Sequence, residues 1–393
     1  MGIIWNLVPR FAGLGLGASI YEAKGFLVEE TGNTEPVKAE QKEMAKTGIV
    51  KDERYMEHVA NGYHPESHQR LEVLYQMLQE PAMKGNYVEI PPRMATQKEL
   101  ELIHMPNYIS LVASTAGRPM TMLDPDTYAC AKSYDTAKLA VGGTLVAVDR
   151  VVSGEVDNAF VLVRPPGHHA ETNRAMGFCL FNNVAVAAAY ALTTHKLRKA
   201  LIIDWDLHHG NGTQHSFYER ADVLYFSTHQ YPYYPGTGFF SEVGSGSGKG
   251  FTVNVPLTAG PGDAEYFLIF EEILEPIALE FKPDIVFVSA GFDIYHRDPL
   301  GGMQVTPQGF ANLAKVILEF AQETCKGKVV FVLEGGYHLE GLRDSAREVL
   351  KTQRGEILAK GRDGGAREKA DHRLIDPVIR KVKEAQKPYW KIK

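Results

Sequence analysis

The stretch ALIIDWDLHHG, residues 200–210, decides the fold of this chain. Its first four residues, Ala200–Ile203, form a short apolar run of the kind that becomes a strand buried on both faces of a parallel sheet. Its second half turns abruptly to aspartate and histidine. In open α/β sheets, ligand sites form in the loops at the carboxyl ends of the strands. The stretch therefore predicts a buried strand that delivers Asp206 and His208 to the functional edge of a sheet.

Four further apolar runs have the same character, and three of them lead directly into a polar or glycine-rich loop. The runs are Ala159–Val163, Val223–Phe226, Ile285–Ser289 and Val329–Leu333. Several runs are separated by helical patterns, such as Asn182–Leu192, Asp263–Phe281 and Gln308–Thr324. Buried strands that alternate with helices are typical of a parallel sheet covered on both faces. We therefore predict an α/β fold whose polar residues gather at one edge of the sheet.

Length and composition fit a globular chain. The 393 residues, 44% hydrophobic and 23% charged, suffice for one large α/β domain or for two ordinary ones. No shift in composition divides the regular part, so we predict a single domain over residues 47–393. The net charge of −6 points to no nucleic-acid partner, and no apolar stretch reaches the length of a membrane span.

The beginning of the chain differs from the rest. It is apolar and rich in glycine, but Pro9 and Arg10 interrupt it and no basic segment precedes it, unlike a signal peptide. We interpret residues 1–46 as an N-terminal arm and linker, and as the candidate for any oligomer contact. The three cysteines are sparse and form no C-x-x-C pair, which favours a reducing compartment. We accordingly expect a cytoplasmic protein.

Three residues at strand ends have the chemistry of a metal site. Asp206 and His208 are two residues apart in a loop, so both side chains can point to the same side. Asp293 leaves its own strand in the equivalent place and is the best third ligand. Catalytic zinc sites use three protein ligands and leave a position open for water, and iron(II) suits the same ligands. An Asp-x-His pair alone is better explained by a helix cap at Asp206 and a local hydrogen bond of His208, but the residues at the other strand ends favour the metal.

The tandem His168-His169 follows Pro-Pro-Gly after the run that ends at Val163. Adjacent histidines rarely bind one metal because their side chains diverge, so proton transfer on a metal-activated water fits them better. Asp204 and Asn211 are natural partners for the two rings. A carboxylate raises the basicity of a ring, whereas an amide orients it without adding charge. The alternative is a pair of solvent-facing loop histidines.

Aromatic residues in loops complete the set of candidate site residues. Tyr337 follows two glycines, and its hydroxyl can donate to a substrate carbonyl and to the oxyanion that develops from it. Phe178 and Tyr234 lie in glycine-containing loops and can line a slot for an alkyl chain. Taken singly, each aromatic residue fits ordinary packing or a surface turn equally well.

Taken together, these motifs resemble the histone deacetylase superfamily, especially class II members and the bacterial deacetylase-like amidohydrolases. The motifs are RPPGHHA (164–170), GFCLFNN (177–183), DWDLHHGNGTQ (204–214), YPGTG (234–238), SAGFD (289–293), DPLGG (298–302) and LEGGY (333–337). The resemblance extends from about Thr47 to Trp390. It implies a three-layer α/β/α fold around an eight-stranded parallel sheet.

The resemblance also implies roles for individual residues. A zinc ion would be held by Asp206, His208 and Asp293. His169 would act as general base and then general acid, and Tyr337 would polarise the substrate carbonyl. A structural potassium ion would be held by Asp204 and by oxygens of Asp206, His208 and Ser227.

Other residues would surround the substrate. The implied tunnel residues are Gly177, Phe178, Tyr234 and Leu300. Asp126, in LDPDTY, matches a rim position that receives a substrate backbone amide, and Arg70 matches an arginine near an internal acetate-release cavity. His168 would stay charged or assist electrostatically. Tyr234 departs from the family pattern, in which a phenylalanine is usual, and this hydroxyl bears on acyl preference.

Three functions remain open at this point. The first is hydrolysis of N-acetyl-lysine, or a similar acyl-lysine, in a protein or peptide. The second is an acetylpolyamine amidohydrolase, which acts on an acetylated small amine. Leu300 stands where polyamine-directed relatives place an acidic residue, so it favours acyl-lysine. The third is a non-catalytic acetyl-lysine-binding module. Such modules lose the tyrosine or a metal ligand, and this chain keeps both, which disfavours the third reading.

Overall fold

A computed structural model describes residues 44–356 and 365–392 of the chain. The predicted arm therefore lies almost wholly outside the described residues, and its role in oligomer contacts stays a prediction. Within these ranges the chain forms ten strands and twelve α-helices.

The strands are β1 Thr47–Val50, β2 Val88–Ile90, β3 Thr121–Asp124, β4 Thr127–Ala129, β5 Asn158–Val161, β6 Ala200–Asp204, β7 Val223–Gln230, β8 Thr252–Leu257, β9 Ile285–Ala290 and β10 Val329–Leu333. The helices are α1 Gln69–Leu78, α2 Gln97–Leu100, α3 Pro106–Ala113, α4 Ser133–Ser153, α5 Asn183–Thr193, α6 Asn211–Phe217, α7 Asp263–Ile269, α8 Glu275–Phe281, α9 Pro307–Cys325, α10 Leu339–Gln353, α11 Ala366–Lys369 and α12 His372–Gln386.

Eight of the strands form one sheet in the order β2-β1-β5-β10-β9-β6-β7-β8, and every pairing in it is parallel. The eight-stranded parallel sheet and the three-layer α/β/α class are thus confirmed. Strands β3 and β4 form a separate antiparallel hairpin. The four strands that lead into the predicted site loops, β5, β10, β9 and β6, are neighbours at the centre of the sheet. Their carboxyl ends therefore meet at one place.

The five apolar runs predicted as strands are all strands, and every residue of the central four is buried. Burial of whole strands requires cover on both faces, which the helices provide. The apolar pattern did not reveal β1, β2 and β8. Strand β2 has only three residues, and β8 carries Asn254 and Pro256, which interrupt its apolar pattern.

One predicted helix is not a regular α-helix. The run Asp263–Phe281 contains a π-helical segment, Phe270–Leu274, between α7 and α8. Pro276 lies in the first turn of α8, and a proline has no N–H to donate to the preceding turn. The π-helical turn thus lies just before the residue that lacks the hydrogen-bond donor.

The three cysteines are Cys130, Cys179 and Cys325, and all are buried thiols without a disulfide partner. Among the residues that the structure describes, no helix combines the length and the apolar character that a bilayer crossing requires.

Candidate active site

A cavity of about 140 Å³ opens at the carboxyl edge of the central strands. It is lined by Asp126, Pro166, His168, His169, Gly177, Phe178, His208, Tyr234, Leu300, Gly335 and Tyr337. The structure therefore brings the predicted tunnel residues, the tandem histidines and the tyrosine of the glycine turn around one space. These residues come from five separate segments of the chain, and the strand order collects them.

The proposed metal ligands form a compact cluster at the bottom of this cavity. Ligand atoms of Asp206, His208 and Asp293 all lie within 4.8 Å of one another. The Nδ1 atom of His208 is 3.2 Å from a carboxylate oxygen of each aspartate. The loop that follows β6 carries Asp206 and His208, and the loop that follows its neighbour β9 carries Asp293. Adjacent parallel strands thus place the three side chains together although they are far apart in sequence.

The cluster fits a divalent cation. Both aspartates are buried, and Oδ2 of Asp293 has no well-formed hydrogen bond, since its near neighbour is Nδ1 of His208, which is itself a proposed ligand. Burial, reinforced by the charge of Asp206, raises the pKa of Asp293. A cation between the two carboxylates would offset both effects. A Cβ atom at Gly335 would lie 2.3 Å from Oδ2 of Asp293, so the glycine leaves the carboxylate its room. One imidazole and two carboxylates are ligands that zinc(II) and iron(II) accept.

The two histidines have different hydrogen-bond partners. Nδ1 of His168 lies 3.1 Å from Asp204, and its Nε2 lies 3.7 Å from Asp206. Nδ1 of His169 lies 2.8 Å from Oδ1 of Asn211. Burial opposes charge on both rings, but the two carboxylates outweigh it at His168 and raise its pKa to about 10. Burial, aided by the neighbouring histidines, keeps the pKa of His169 well below its usual value.

A carboxylate that the sequence analysis did not single out holds the tandem-histidine loop. Oε2 of Glu334 accepts hydrogen bonds from the backbone N–H of Gly167 at 2.6 Å and of His168 at 3.2 Å. Its other oxygen accepts from the hydroxyl of Ser289 at 3.1 Å. The available signal was its position, because Glu334 directly follows the buried strand β10 and opens the glycine turn.

The turn that carries Tyr337 is held from both sides. Arg70 donates from Nε to the carbonyl of Gly336 at 2.7 Å and from a terminal nitrogen to that of Glu334 at 2.5 Å. Asp298 accepts from the N–H of Tyr337 at 2.7 Å. The guanidinium carbon also lies 5.1 Å from the centre of the tyrosine ring. Arg70 thus lies beneath the tyrosine turn, and its predicted link to acetate release stays a prediction.

A buried ion-pair cluster joins the loop that carries the tandem histidines to the turn that carries Tyr337. The carboxylate of Glu66 receives Arg70 at 3.1 Å and Arg164, the first residue of the RPPGHHA motif, at 2.5 and 2.7 Å. Burial opposes ionisation of Glu66, but the two guanidinium groups outweigh it and hold the pKa at about 2. Removing one partner from such a buried cluster typically costs about 3–5 kcal/mol, because it leaves charge without compensation.

The hairpin of β3 and β4 builds one wall of the opening. Oδ1 of Asp126 accepts from the N–H of Gly177 at 3.0 Å, and the hydroxyl of Thr127 accepts from that of Phe178 at 3.0 Å. Phe178 adopts a φ of +67°, which is strained for a residue with a side chain. A Cβ atom at Gly177 would lie 2.2 Å from the ring of His169, so this position requires glycine.

The opposite wall comes from two other loops. The ring of Tyr234 stands edge-on to His169, with 5.1 Å between centres, and its hydroxyl is buried without a well-formed hydrogen bond. Leu300 lines the opening, and its carbonyl accepts from the hydroxyl of Tyr233 at 3.0 Å. The wall is therefore aromatic and aliphatic apart from one phenol group.

The predicted potassium ligands lie on or directly after two neighbouring strands, β6 and β7. Ser227 on β7 lies opposite Asp204 on β6 in the strand register. The hydroxyl of Ser227 is 2.9 Å from His229, and Asp204 receives the hydroxyl of Tyr225 at 3.0 Å. A potassium ion at this place stays a prediction.

Residues 64–353 match the family model of the histone deacetylase domain. The chain belongs to the histone deacetylase family. It is 39% identical over 364 residues to Histone deacetylase 5 of Arabidopsis thaliana, covering 88% of this chain and 54% of that protein. It is 36% identical over 362 residues to a Probable deacetylase of Archaeoglobus fulgidus, covering 88% of this chain and 99% of that protein.

Solved structures of the histone deacetylase family agree with this membership. The HD domain of HDA15 superimposes with a TM-score of 0.81 at 37% identity, covering 88% of this chain and 97% of that one. The chain spans about half the length of the plant relatives named Histone deacetylase 5 and Histone deacetylase 18. The predicted superfamily is thus confirmed, and the chain is a member of a family of hydrolases whose relatives are named deacetylases.

Proposed function

We propose that this histone deacetylase-family protein is a metal-dependent deacylase that hydrolyses the amide of an N-acetyl-lysine side chain. One observation carries the proposal: the narrow cavity has a three-ligand cluster at its bottom and a histidine pair and a phenol beside it. Hydrolysis of an amide needs an activated water, a proton carrier for the leaving amine and a donor for the oxyanion. The cavity holds one candidate group for each need.

The metal is the first requirement. Asp206, His208 and Asp293 are the residues that would hold it. A bound zinc(II) or iron(II) ion supplies Lewis-acid polarisation of the acyl carbonyl and lowers the pKa of a water. A potassium ion near Asp204 and Ser227 is a further proposal for this edge of the sheet.

His169 is the proposed general base and then general acid. Its hydrogen bond to Asn211 leaves Nε2 to accept a proton from the attacking water. The lowered pKa of His169 keeps the ring neutral, as a base must be. The same nitrogen then donates the proton to the leaving amine. His168, with its raised pKa, contributes positive charge beside it.

Tyr337 is the proposed donor to the carbonyl oxygen. Burial raises the pKa of this phenol, so the hydroxyl keeps its proton at neutral pH and can donate it. Its turn is held by Arg70 and Asp298, and a donor held in place loses little free energy to reorganisation as the oxyanion forms.

The walls support an unbranched side chain as substrate. Phe178 and Tyr234 stand beside the reacting groups and leave room for a narrow alkyl chain. Asp126 at the opening is the proposed acceptor for a substrate backbone amide, which a peptide has and a polyamine lacks. Leu300 offers apolar contact and no charge for a distant ammonium group. These features favour acyl-lysine peptides over acetylated polyamines.

The test is a substrate panel with the zinc-loaded protein. We expect acetyl-lysine peptides to exceed acetylputrescine and acetylspermidine in kcat/KM, the quantity that measures discrimination. His169→Ala is the matched control, because it should retain metal and lose turnover. A strong preference for the acetylpolyamines would make the polyamine reading correct. Tight binding of acetyl-lysine without turnover would make the binding-module reading correct.

A further inference from the structure

The general base proposed above, His169, is oriented by the side-chain amide of Asn211. One end of an amide accepts hydrogen bonds and the other end donates them. Asn211 can present either its oxygen or its nitrogen to Nδ1 of His169. If the oxygen faces the ring, Nδ1 carries the proton and Nε2 has the lone pair that a base needs. If the nitrogen faces the ring, the tautomer reverses and Nε2 cannot accept a proton. The orientation of one amide therefore decides whether His169 can act as a base.

Glu171 resolves this ambiguity. The nitrogen Nδ2 of Asn211 lies 2.5 Å from Oε1 of Glu171 and 3.3 Å from the backbone carbonyl of His169. A carboxylate and a carbonyl can only accept hydrogen bonds, so the amide atom that faces them must be the NH₂ group. A turned amide would set its oxygen against the carboxylate. The oxygen of Asn211 is therefore directed at His169.

The carboxylate of Glu171 is itself fixed in place. Its Oε1 also receives Nδ1 of His215 at 2.8 Å. Its backbone carbonyl receives the ring of the buried His104 at 2.9 Å, and its N–H donates to Arg174 at 2.9 Å. Burial opposes the charge of Glu171, but the hydrogen bonds from His215 and Asn211 outweigh it and lower the pKa. The group is thus an ionised acceptor at neutral pH.

We propose that Glu171 is a positioning residue that fixes the tautomer of His169 through the amide of Asn211. This inference rests on the proposed function, in which His169 is the base. The arrangement contrasts with His168, whose ring contacts the carboxylate of Asp204 directly and carries a raised pKa. Because Asn211 lies between Glu171 and His169, the carboxylate decides which ring nitrogen carries the proton without placing its negative charge next to the ring.

The first test removes the acceptor. A glutamine at position 171 can present either end of its amide, so only the more distant backbone carbonyl of His169, at 3.3 Å, still favours the native orientation of Asn211. We expect Glu171→Gln to lower kcat by about 10- to 100-fold, part of the roughly 10²–10⁴-fold that a positioned proton carrier contributes. KM and zinc content should stay unchanged. Unchanged kcat would overturn the inference.

A matched control variant tests whether removing any buried carboxylate, and not Glu171 in particular, lowers kcat. Glu265 is 8% exposed against 9% for Glu171, and it accepts from two backbone N–H groups away from the cavity. We expect Glu265→Gln to leave kcat unchanged. A loss of kcat in Glu265→Gln as large as that in Glu171→Gln would attribute both effects to folding and overturn the positioning role.

The second test restores the acceptor in another position. Asn211→Asp alone sets two carboxylates against each other and should impair turnover. In the double variant Asn211→Asp/Glu171→Gln, the aspartate accepts from Nδ1 of His169 and the glutamine donates to the aspartate. We expect kcat of the double variant to exceed that of both single variants. Additive losses, the pattern of independent structural damage, would contradict the proposal.

The third test reads the tautomer without turnover. The NMR spectrum is recorded on the ¹⁵N-histidine-labelled, zinc-loaded protein. The ring-nitrogen signals of His169 are assigned as those that are absent from the spectrum of the His169→Gln variant. We expect the proton on Nδ1 in the unmodified chain and a mixture of tautomers in Glu171→Gln. A single Nδ1-protonated form of His169 in both the unmodified chain and Glu171→Gln would contradict the inference. The spectrum decides this even if the unmodified chain hydrolyses no acyl-lysine, which would be a failure of the proposed function instead.

Discussion

The bottom of the cavity is more deeply buried and more densely hydrogen-bonded than its opening. We call the buried residues at the bottom the floor: His168, which lines the cavity, and Asp204, Asp206, Asp293 and Glu334, which lie behind its lining. We call the opening the mouth, which consists of Asp126, Phe178, Tyr234 and Leu300. Every floor residue is at most 3% exposed, whereas every mouth residue is partly open to solvent. The floor follows strands at the centre of the sheet, and the mouth comes from a hairpin and loops.

Under the proposed function, the floor would carry out the chemistry and the mouth would select the substrate. The floor carboxylates accept hydrogen bonds from neighbouring backbone N–H groups, as Asp206 does from Gly335 at 2.8 Å and Glu334 does from Gly167. Such contacts fix positions to a few tenths of an ångström, which metal binding and proton transfer require. The mouth holds fewer hydrogen bonds: the hydroxyl of Tyr234 makes no well-formed one, and Leu300 takes part only through its backbone. Changes in the floor should abolish activity, and changes in the mouth should redirect it.

The largest effect is expected for the ligand from β9. Asp293→Ala removes one of three metal ligands, and we expect the bound zinc and the activity to be lost together. The loss in kcat/KM should exceed about 1,000-fold, since metal catalysis supplies several kcal/mol. Elemental analysis after dialysis measures the metal. Leu300→Ala in the mouth is the control and should keep its zinc. Full zinc in Asp293→Ala would show that the ligand assignment is wrong.

A smaller loss is expected for the phenol between floor and mouth. Tyr337→Phe keeps the ring and its contact with Phe178, 6.1 Å between centres, but removes the donor to the oxyanion. We expect kcat to fall by about 100- to 1,000-fold, the usual effect of deleting such a donor. Steady-state kinetics on an acetyl-lysine peptide should show KM and zinc content nearly unchanged. Near-normal turnover would rule out the role of this hydroxyl.

The smallest effect is expected in the mouth. Leu300→Glu introduces a carboxylate at the opening and leaves the floor intact. We expect kcat/KM for acetylspermidine to rise about tenfold relative to an acetyl-lysine peptide, which corresponds to about 1.4 kcal/mol. Competition between the two substrates measures this ratio, and Leu300→Gln is the uncharged control. An unchanged ratio would remove Leu300 as a determinant of selectivity.

Residue pattern alone predicted the parts of the molecule that are local. An apolar run followed at once by acidic, histidine or glycine residues marks a buried strand and its functional end. Asp206, His208, Asp293 and Tyr337 were proposed by this rule, and the structure places all four around one cavity or at the cluster beside it. The mouth residues Asp126 and Leu300 carry no such local signal. Their assignment depended on resemblance to the histone deacetylase superfamily.

Other side-chain contacts could not be predicted from the local residue pattern, because the two partners are distant in sequence. Glu66 and Arg164 are 98 residues apart, and neither lies at a position where a buried charge is expected. Asp298 supports Tyr337 from a loop 39 residues away. A buried charge becomes acceptable only when a partner from another element compensates it, so a single segment cannot reveal it.

The sequence by itself determined the α/β class, the strands that lead into the site and the residue types available for chemistry, because these follow from local periodicity and composition. Only the tertiary structure decided that β5, β10, β9 and β6 are neighbours. That order places Asp293 beside Asp206 and Glu334 beneath the histidine loop. It is set by the packing of helices and strands over the whole sheet, a property that no single stretch of the chain contains.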